Sequence, residues 1–168
     1  MALEYHIYGA SAGGFKRVVD QVVSYHLALK PVLAGVDLTQ TSTVRYASDH
    51  ADVTSQIFRE EGELQVAACV VSYDHVCTVR VSLVEGYRQR IRSLCAAVGE
   101  LLTQTSGALA FLFAYDRALL VRCEHRLLAA GSVGREPGFW DVDGRATRLP
   151  VQPEYVRHLS VRRKGEDY

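Results

Sequence analysis

The segment of residues 107–140 constrains the fold of this chain more than any other. Residues 108–115 and 118–123 are almost continuously apolar, and the polar pair at residues 116–117 separates them. Such runs are typical of strands buried on both faces of a sheet, and the polar pair predicts a tight turn. A Pro-Gly-Phe-Trp loop at residues 137–140 follows, whose aromatic rings either plug the sheet edge or anchor an interface. The segment predicts a rigid central hairpin that presents a surface and assembles no chemistry.

Two further segments have helical periodicity. The first runs from Phe15 to Lys30 and is ended by Pro31, and the second runs from Gly86 to Thr105. Their apolar stripes comprise Phe15, Val18, Val19, Val22, Val23 and His26 in the first, and Tyr87, Ile91, Leu94, Cys95, Val98 and Leu102 in the second. These stripes predict two long amphipathic helices that cover a sheet.

A second hairpin is predicted in the middle of the chain. Residues 64–73 and 76–84 have strand character, and the pair Asp74-His75 between them suits a two-residue turn. That register would place Cys69 and Cys77 on opposite faces of the sheet, which excludes a disulfide between them.

The remaining strand signals are weaker. Residues 3–9 and 155–161 predict a first and a last strand, and residues 43–47 suit another. Residues 52–60 fit either a short helix or an edge strand, so the region from 32 to 63 stays open.

This order of elements predicts an α+β fold, a mainly antiparallel sheet with two long helices packed on one face. A chain of 168 residues suits one domain, here residues 1–168, with a charged tail that frays from about residue 162.

Composition narrows the function classes. Net charge is +0 and pI about 7.0, which argues against a general nucleic-acid binder, since that would need a basic field. The first residues lack a secretory pattern and no apolar run is long enough to span a bilayer, so we expect a cytoplasmic protein that does not bind membranes. The four cysteines lie in apolar runs, and we expect them to be reduced and packed as small hydrophobes.

The motif Gly9-Ala10-Ser11-Ala12-Gly13 matches the G-x-S-x-G nucleophile elbow between a predicted strand and a predicted helix. Patatin-like lipases carry a similar pattern with a later Asp-Gly, such as Asp143-Gly144 here. A small serine hydrolase using Ser11 with Asp143 is therefore one hypothesis. Because only one strand precedes the motif and no oxyanion loop is evident, we favour Ser11 as a helix cap.

Two clusters invite a metal reading, namely Asp74-His75 with Cys77, and Cys123-Glu124-His125. Neighbouring residues on a strand face opposite ways, so too few ligands converge, and we expect no metal and no cofactor. His75 is interpreted as a solvated turn residue. His26 on its apolar stripe is interpreted as a core histidine.

Charge is unevenly distributed along the chain. Acidic side chains gather before the middle hairpin, and basic ones gather around the start of the second helix. The acidic group is the predicted contact surface for a basic partner, because charge complementarity speeds and selects association. It comprises Asp49, Asp52, Glu60, Glu61 and Glu63. The basic group comprises Arg80, Arg88, Arg90 and Arg92.

Several short motifs in one order resemble a family of bacterial immunity proteins paired with swarming-inhibition toxins. The motifs are Met1-Ala2-Leu3-Glu4-Tyr5, Val79-x-Val81 before the Gly86 helix, Phe111-Leu112-Phe113 to Leu120, Pro137-Gly138-Phe139-Trp140 and Pro153-x-Tyr155. The likeness spans most of the chain, although the family pattern lacks the glycines from Gly9 to Gly13 and the charged tail.

The resemblance implies a cytoplasmic antidote without catalytic activity. It would bind and block a cognate toxin delivered by sibling cells.

Overall fold

The computed structural model describes residues 1–10, 15–32, 43–131, 141–142, 145–146 and 153–164. These residues form two helices and a large, mostly antiparallel sheet, which is an α+β architecture. Within them, no helix is long and apolar enough to cross a membrane.

The elements follow in chain order. The helices are α1 (Phe15–His26) and α2 (Tyr87–Gln104). The strands are β1 (Ala2–Gly9), β2 (Lys30–Pro31), β3 (Thr43–Ala47), β4 (Ala51–Val66), β5 (Cys69–Ser82), β6 (Leu109–Phe113), β7 (Arg117–Cys123), β8 (Arg126–Ala130), β9 (Asp141–Val142), β10 (Arg145–Ala146), β11 (Glu154–Val156) and β12 (Val161–Arg163).

The main sheet has the order β11-β8-β7-β6-β1-β5-β4-β3-β2, and β12 pairs with the far end of β4. The pairing of β11 with β8 is parallel, and the other pairings are antiparallel. β1 lies at the centre, between β5 and β6, so the first strand of the chain organises the sheet. β9 and β10 form a separate pair.

The middle hairpin is real, but the predicted turn was wrong. β5 runs without interruption through Asp74 and His75, and the chain reverses instead at Ala67 and Ala68, between β4 and β5. Ala67 has a positive φ of 52°. Two-residue turns with positive φ are usually predicted from Gly, Asn or Asp. Two alanines therefore did not indicate a turn at this position. The argument that excluded a disulfide between Cys69 and Cys77 depended on a turn at Asp74 and His75, so it no longer holds.

The open region between residues 32 and 63 contains β3 and most of β4, while residues 33–42 lie outside the described part. β4 carries a large bulge. Ile57 pairs with His75 and Gly62 pairs with Tyr73, so residues 58–61 have only Asp74 opposite them. An excess of this size bends a strand and turns its side chains away from the ladder.

One part of the core lies on the face of the sheet that α1 covers. His75, Cys77 and Val79 alternate along β5 on that face and are fully buried. Tyr5 and Ile7 of β1 pair directly with Val79 and Cys77, so their side chains share that face. Phe15 of α1 meets the edge of the His75 ring at 5.6 Å between centroids, which places α1 over this surface.

Arg122 ties the end of α2 to β7. Its guanidinium donates to the carbonyls of Leu102 and Gly107 at 2.7 and 2.8 Å and to Thr105 Oγ1 at 3.0 Å. Burial lowers the pKa of Arg122. A cation at this end of a helix meets the free carbonyls of the last turn, so the contact fixes α2 against the sheet.

Near the end of the chain, Val161–Arg163 pairs in register with Leu64, Gln65 and Val66 of β4. The predicted tail that frays from about residue 162 therefore overlaps a paired strand by two residues. Residues 165–168 lie outside the described part.

Candidate functional site

The predicted acidic surface divides into two parts. Asp49 and Asp52 lie at the start of β4, and Asp52 is opposite Arg80 in the β4–β5 register. Glu60 and Glu61 lie in the bulge opposite Asp74, which is six residues from Arg80 along β5 and hence about 20 Å away at 3.3 Å per residue. The five carboxylates therefore do not form one surface. Because Asp52 lies opposite an arginine, the bulge is the part of the predicted acidic surface that can still contact a basic partner.

The bulge, defined here as residues 58–61, lies outside the regular strand ladder and is exposed to solvent. All four side chains are exposed, and Phe58 retains 40% of its surface despite being a large aromatic. The fifth acidic residue, Glu63, pairs with Lys164 through a contact of 2.8 Å between Oε2 and Nζ. The bulge therefore combines one exposed ring with the guanidinium of Arg59 and the carboxylates of Glu60 and Glu61, so its charge is acidic by one unit.

The base of the bulge is tightly packed. A Cβ added at Gly62 would lie 2.6 Å from Tyr73 Cζ, so only glycine lets the strand approach this ring. Tyr73 in turn meets Tyr8 edge to face at 4.9 Å. This packing holds the position of residues 58–61 although they lack regular partners.

A polar network that sequence reasoning missed lies on the other face of β1. Glu4 Oε2 accepts a hydrogen bond from Arg80 Nε at 2.7 Å, and His6 Nε2 lies 3.1 Å from Glu4 Oε1. His6 Nδ1 is 3.1 Å from Thr78 Oγ1, and its ring lies 4.3 Å from the Tyr115 ring. Only strand pairing brings these residues together, so no local motif signals them.

Electrostatics fix the charge states in this network. Burial raises the pKa of Glu4, but hydrogen bonds from Arg80 and Tyr115 outweigh it and leave that pKa below its usual range. Burial lowers the pKa of His6, and the Glu4 carboxylate offsets this only in part. The Glu4 carboxylate, beside a neutral imidazole, links β1 to β5 and to Tyr115 in the turn between β6 and β7, and Arg80 already occupies its Oε2.

A second missed cluster lies under α1 and corrects the interpretation of His75. This residue is 0% exposed rather than solvated, and its Nε2 lies 2.6 Å from Ser55 Oγ, which is also buried. Burial lowers the pKa of His75 to about 4, despite the opposing effect of Asp20. Asp20 Oδ2 accepts from Lys16 Nζ at 2.6 Å, whereas Asp20 Oδ1 and His75 Nδ1 have no hydrogen-bond partner.

Ser55, His75 and Asp20 are the residue types of a Ser-His-Asp triad, but a substrate cannot reach the serine hydroxyl. Ser55 Oγ is enclosed, and a general base with a pKa near 4 is mostly unable to hold a proton at neutral pH. In the conformation described, the cluster cannot receive a substrate.

The nucleophile elbow is only partly visible. Ser11, Ala12, Gly13 and Asp143 lie outside the described residues. Gly9 has a packing role, because a Cβ there would collide with the Phe15 ring.

The cysteines of the two clusters considered as metal sites have other roles. Cys123 forms a disulfide with Cys69, with 5.8 Å between their Cα atoms, so the expectation of reduced thiols was wrong for this pair. Cys77 and Cys95 are free and buried, and burial raises the pKa of each thiol. In the described part of the chain, no three potential ligands converge on a metal position.

His26, interpreted from the sequence as a core histidine, is half-buried and has a partner on the other helix. Its Nε2 lies 2.6 Å from Glu100 Oε2, which joins α1 to α2. The loop with Phe139 and Trp140 lies outside the described residues.

Comparison with protein-family models, curated protein sequences and solved structures finds no match to the chain.

Proposed function

We propose that this protein is an immunity protein that binds a cognate bacterial toxin and neutralises it by occlusion, without catalysis. The motif order that resembles the immunity proteins of swarming-inhibition systems supports the proposal. The structural observation that carries it is the bulge of residues 58–61, which presents an exposed aromatic ring next to exposed charged side chains on a packed base.

The chemistry of the bulge suits capture of a basic surface. Interface hot spots are enriched in aromatic and arginine side chains that a rim of polar groups protects from water. Phe58 would supply the apolar anchor, while Glu60 and Glu61 would attract cationic side chains and raise the association rate. We infer that both helices cover the opposite face of the sheet region, which leaves the bulge free for a partner.

The first experiment co-expresses the chain with the product of the adjacent gene. Rescue of growth and a one-to-one complex are the expected results. A toxic neighbour that is neither bound nor relieved by the chain would contradict the proposal.

The second experiment reverses charge on the bulge. Glu60→Lys with Glu61→Lys is expected to weaken the complex about tenfold or more, since each contact of this kind contributes about 1 kcal/mol. Asp116→Lys with Glu124→Lys is the matched control, because these exposed acidic residues make the same charge change elsewhere. Equal weakening by both pairs would show that net charge matters and the bulge does not.

Location is a separate part of the proposal. We propose a cytoplasmic protein, while the Cys69–Cys123 disulfide is the kind of bond that oxidising compartments preserve. The number of free thiols distinguishes a cytoplasmic location from an oxidising compartment. It is measured by alkylation of denatured protein from cells quenched in acid. If the protein is cytoplasmic, four reactive thiols are expected in the cell, and the Cys69–Cys123 disulfide forms only when the protein meets an oxidant; two reactive thiols would contradict that location.

The serine hydrolase remains the alternative function. His75 pairs with Gly9 in the β1–β5 register, so a histidine lies beside the start of the elbow motif. Labelling by a fluorophosphonate probe that Ser11→Ala abolishes would favour this alternative. An unlabelled wild-type protein would remove it.

A further inference from the structure

A shallow groove lies where the chain passes from β5 into α2. Its volume is about 580 Å³, and the residues that line it include Leu83, Val84, Glu85, Arg88 and Arg92. Leu83 and Val84 remain 37% and 44% exposed. The lining of the groove therefore combines exposed apolar side chains with two guanidinium groups.

The loop that forms one wall is held in place. Arg90 Nη2 donates to the carbonyls of Val84 and Glu85 at 3.3 and 2.7 Å, and the Leu83 amide donates to the Met1 carbonyl at 3.1 Å. The apolar side chains thus stay exposed on a fixed backbone. Exposed apolar groups on a rigid, polar-rimmed surface mark interaction sites.

Arg88 and Arg92 lie near the N-terminus of α2, where positive charge destabilises a helix. The first turn of α2 contains no acidic residue, and its positive dipole end repels Arg88. Arg88 and Arg92 are also four residues apart, a spacing at which like charges on a helix destabilise it. Arg90 donates to the loop carbonyls, and Arg88 and Arg92 line the groove. Departures from local rules of this kind concentrate at functional sites.

We propose that this groove binds an acidic peptide segment of a partner protein, with carboxylates on Arg88 and Arg92 and an apolar side chain on Leu83 and Val84. The amides of Tyr87 and Gln89 already donate within the chain, so the guanidinium groups provide the recognition. Arg88 is suitably placed, because its Nε donates to Tyr87 Oη at 3.3 Å and holds the guanidinium beside the ring.

An acidic peptide fits better than nucleic acid or a lipid surface. Glu85 also borders the groove and repels any anion beside it, which disfavours a continuous polyanion more than a peptide whose carboxylates are spaced apart. The net charge of +0 supplies no wider basic field to attract phosphates. The inference holds whichever protein carries the segment, so it does not depend on toxin neutralisation.

Fluorescence anisotropy with the full chain tests the proposal. The probe is a short labelled peptide that alternates glutamate and leucine, compared with one that alternates lysine and leucine. The glutamate peptide is expected to bind, with an affinity that falls as salt rises. Arg88→Glu with Arg92→Glu is expected to weaken it about tenfold, as for two exposed ion pairs. Arg17→Glu with Arg162→Glu, a matched change at exposed positions, is expected to have no effect.

A stability measurement separates lost binding from lost folding. Arg88→Glu with Arg92→Glu is expected to leave the urea midpoint at or above that of the wild type while binding falls, because a glutamate at position 88 would suit the first turn of α2 and the like-charge spacing is unchanged. Failure of the glutamate peptide to bind, equal binding of the lysine peptide, or equal weakening by the control pair would overturn the proposal. Arginine-dependent binding of single-stranded RNA or of phosphatidylserine vesicles, in place of the peptide, would also overturn it and identify a phosphate site.

Discussion

Acid should destabilise this protein through His75. The imidazole is fully buried, and burial lowers its pKa from 6.5 to about 4. Between pH 6.5 and 4 the unfolded chain holds a proton at this site and the folded chain does not. The free energy of unfolding therefore falls as pH drops through this window, by about 1.4 kcal/mol per unit. Over the window, His75 should contribute a loss of about 3 kcal/mol.

Urea denaturation at several pH values between 7.5 and 4 measures this loss. His75→Gln removes the titration and retains a hydrogen-bonding side chain toward Ser55. The free energy of the variant should fall about 3 kcal/mol less than that of the wild type across the window. The pKa of His6 is also lowered, but His6 is present in both proteins and cancels in the comparison. His50→Gln, at an exposed position, is the control and should follow the wild type.

Parallel pH curves for the wild type and His75→Gln would refute the reasoning. If the variant does not fold, the imidazole nitrogen shifts of the wild-type protein provide a second test. A folded-state His75 that titrates near 6.5 would show that the ring is not desolvated as described.

Two further predictions concern the covalent link and the bulge. The double change Cys69→Ser with Cys123→Ser should lower the free energy of unfolding by about 4 kcal/mol, the loop entropy for a separation of 54 residues. Denaturation with and without a reductant checks this value, and a reductant effect on the double variant would contradict it. Gly62→Ala should cost about 2 kcal/mol, because the added methyl group overlaps Tyr73. A urea midpoint equal to that of the wild type would show that the ring moves aside freely.

The helices were the part of the fold that the sequence predicted best. The stripe that begins at Phe15 gave the start of α1, and the segment from Gly86 to Thr105 gave α2 to within a residue at each end. Periodic burial on one face produces a strong local signal. The end of α1 was predicted too late, because the chain leaves the helix after His26 and turns through Ala28, whose φ is 51°.

The strand connections were harder to predict because turn chemistry and register are partly set by distant pairing. Asp74 and His75 resemble a turn locally, but β1 and β4 flank β5 at this point and keep it extended. The bulge in β4 is equally invisible in the sequence, since its charged residues suit either a loop or an edge strand. Here tertiary pairing decides what local preference leaves open.

The buried polar clusters could not be predicted for a related reason. Glu4 and Arg80 are 76 residues apart, and His75 and Ser55 are 20 apart. Each pair depends on the β1–β5 or β4–β5 register, and a shift of one residue would move the partners to opposite faces. Composition can show that such groups exist, but only the register brings them into contact.

A formal charge of +0 conceals two exposed regions of opposite sign, the acidic bulge and the arginine-lined groove. Exposed ion pairs weaken with salt, so salt dependence alone would not separate the two proposed contacts. Crossed variants separate them. Reversal at Glu60 and Glu61 should impair toxin binding and leave the glutamate peptide bound, whereas reversal at Arg88 and Arg92 should release that peptide. If both reversals impaired both ligands equally, binding would follow the overall field of the protein, and neither surface would be a defined site.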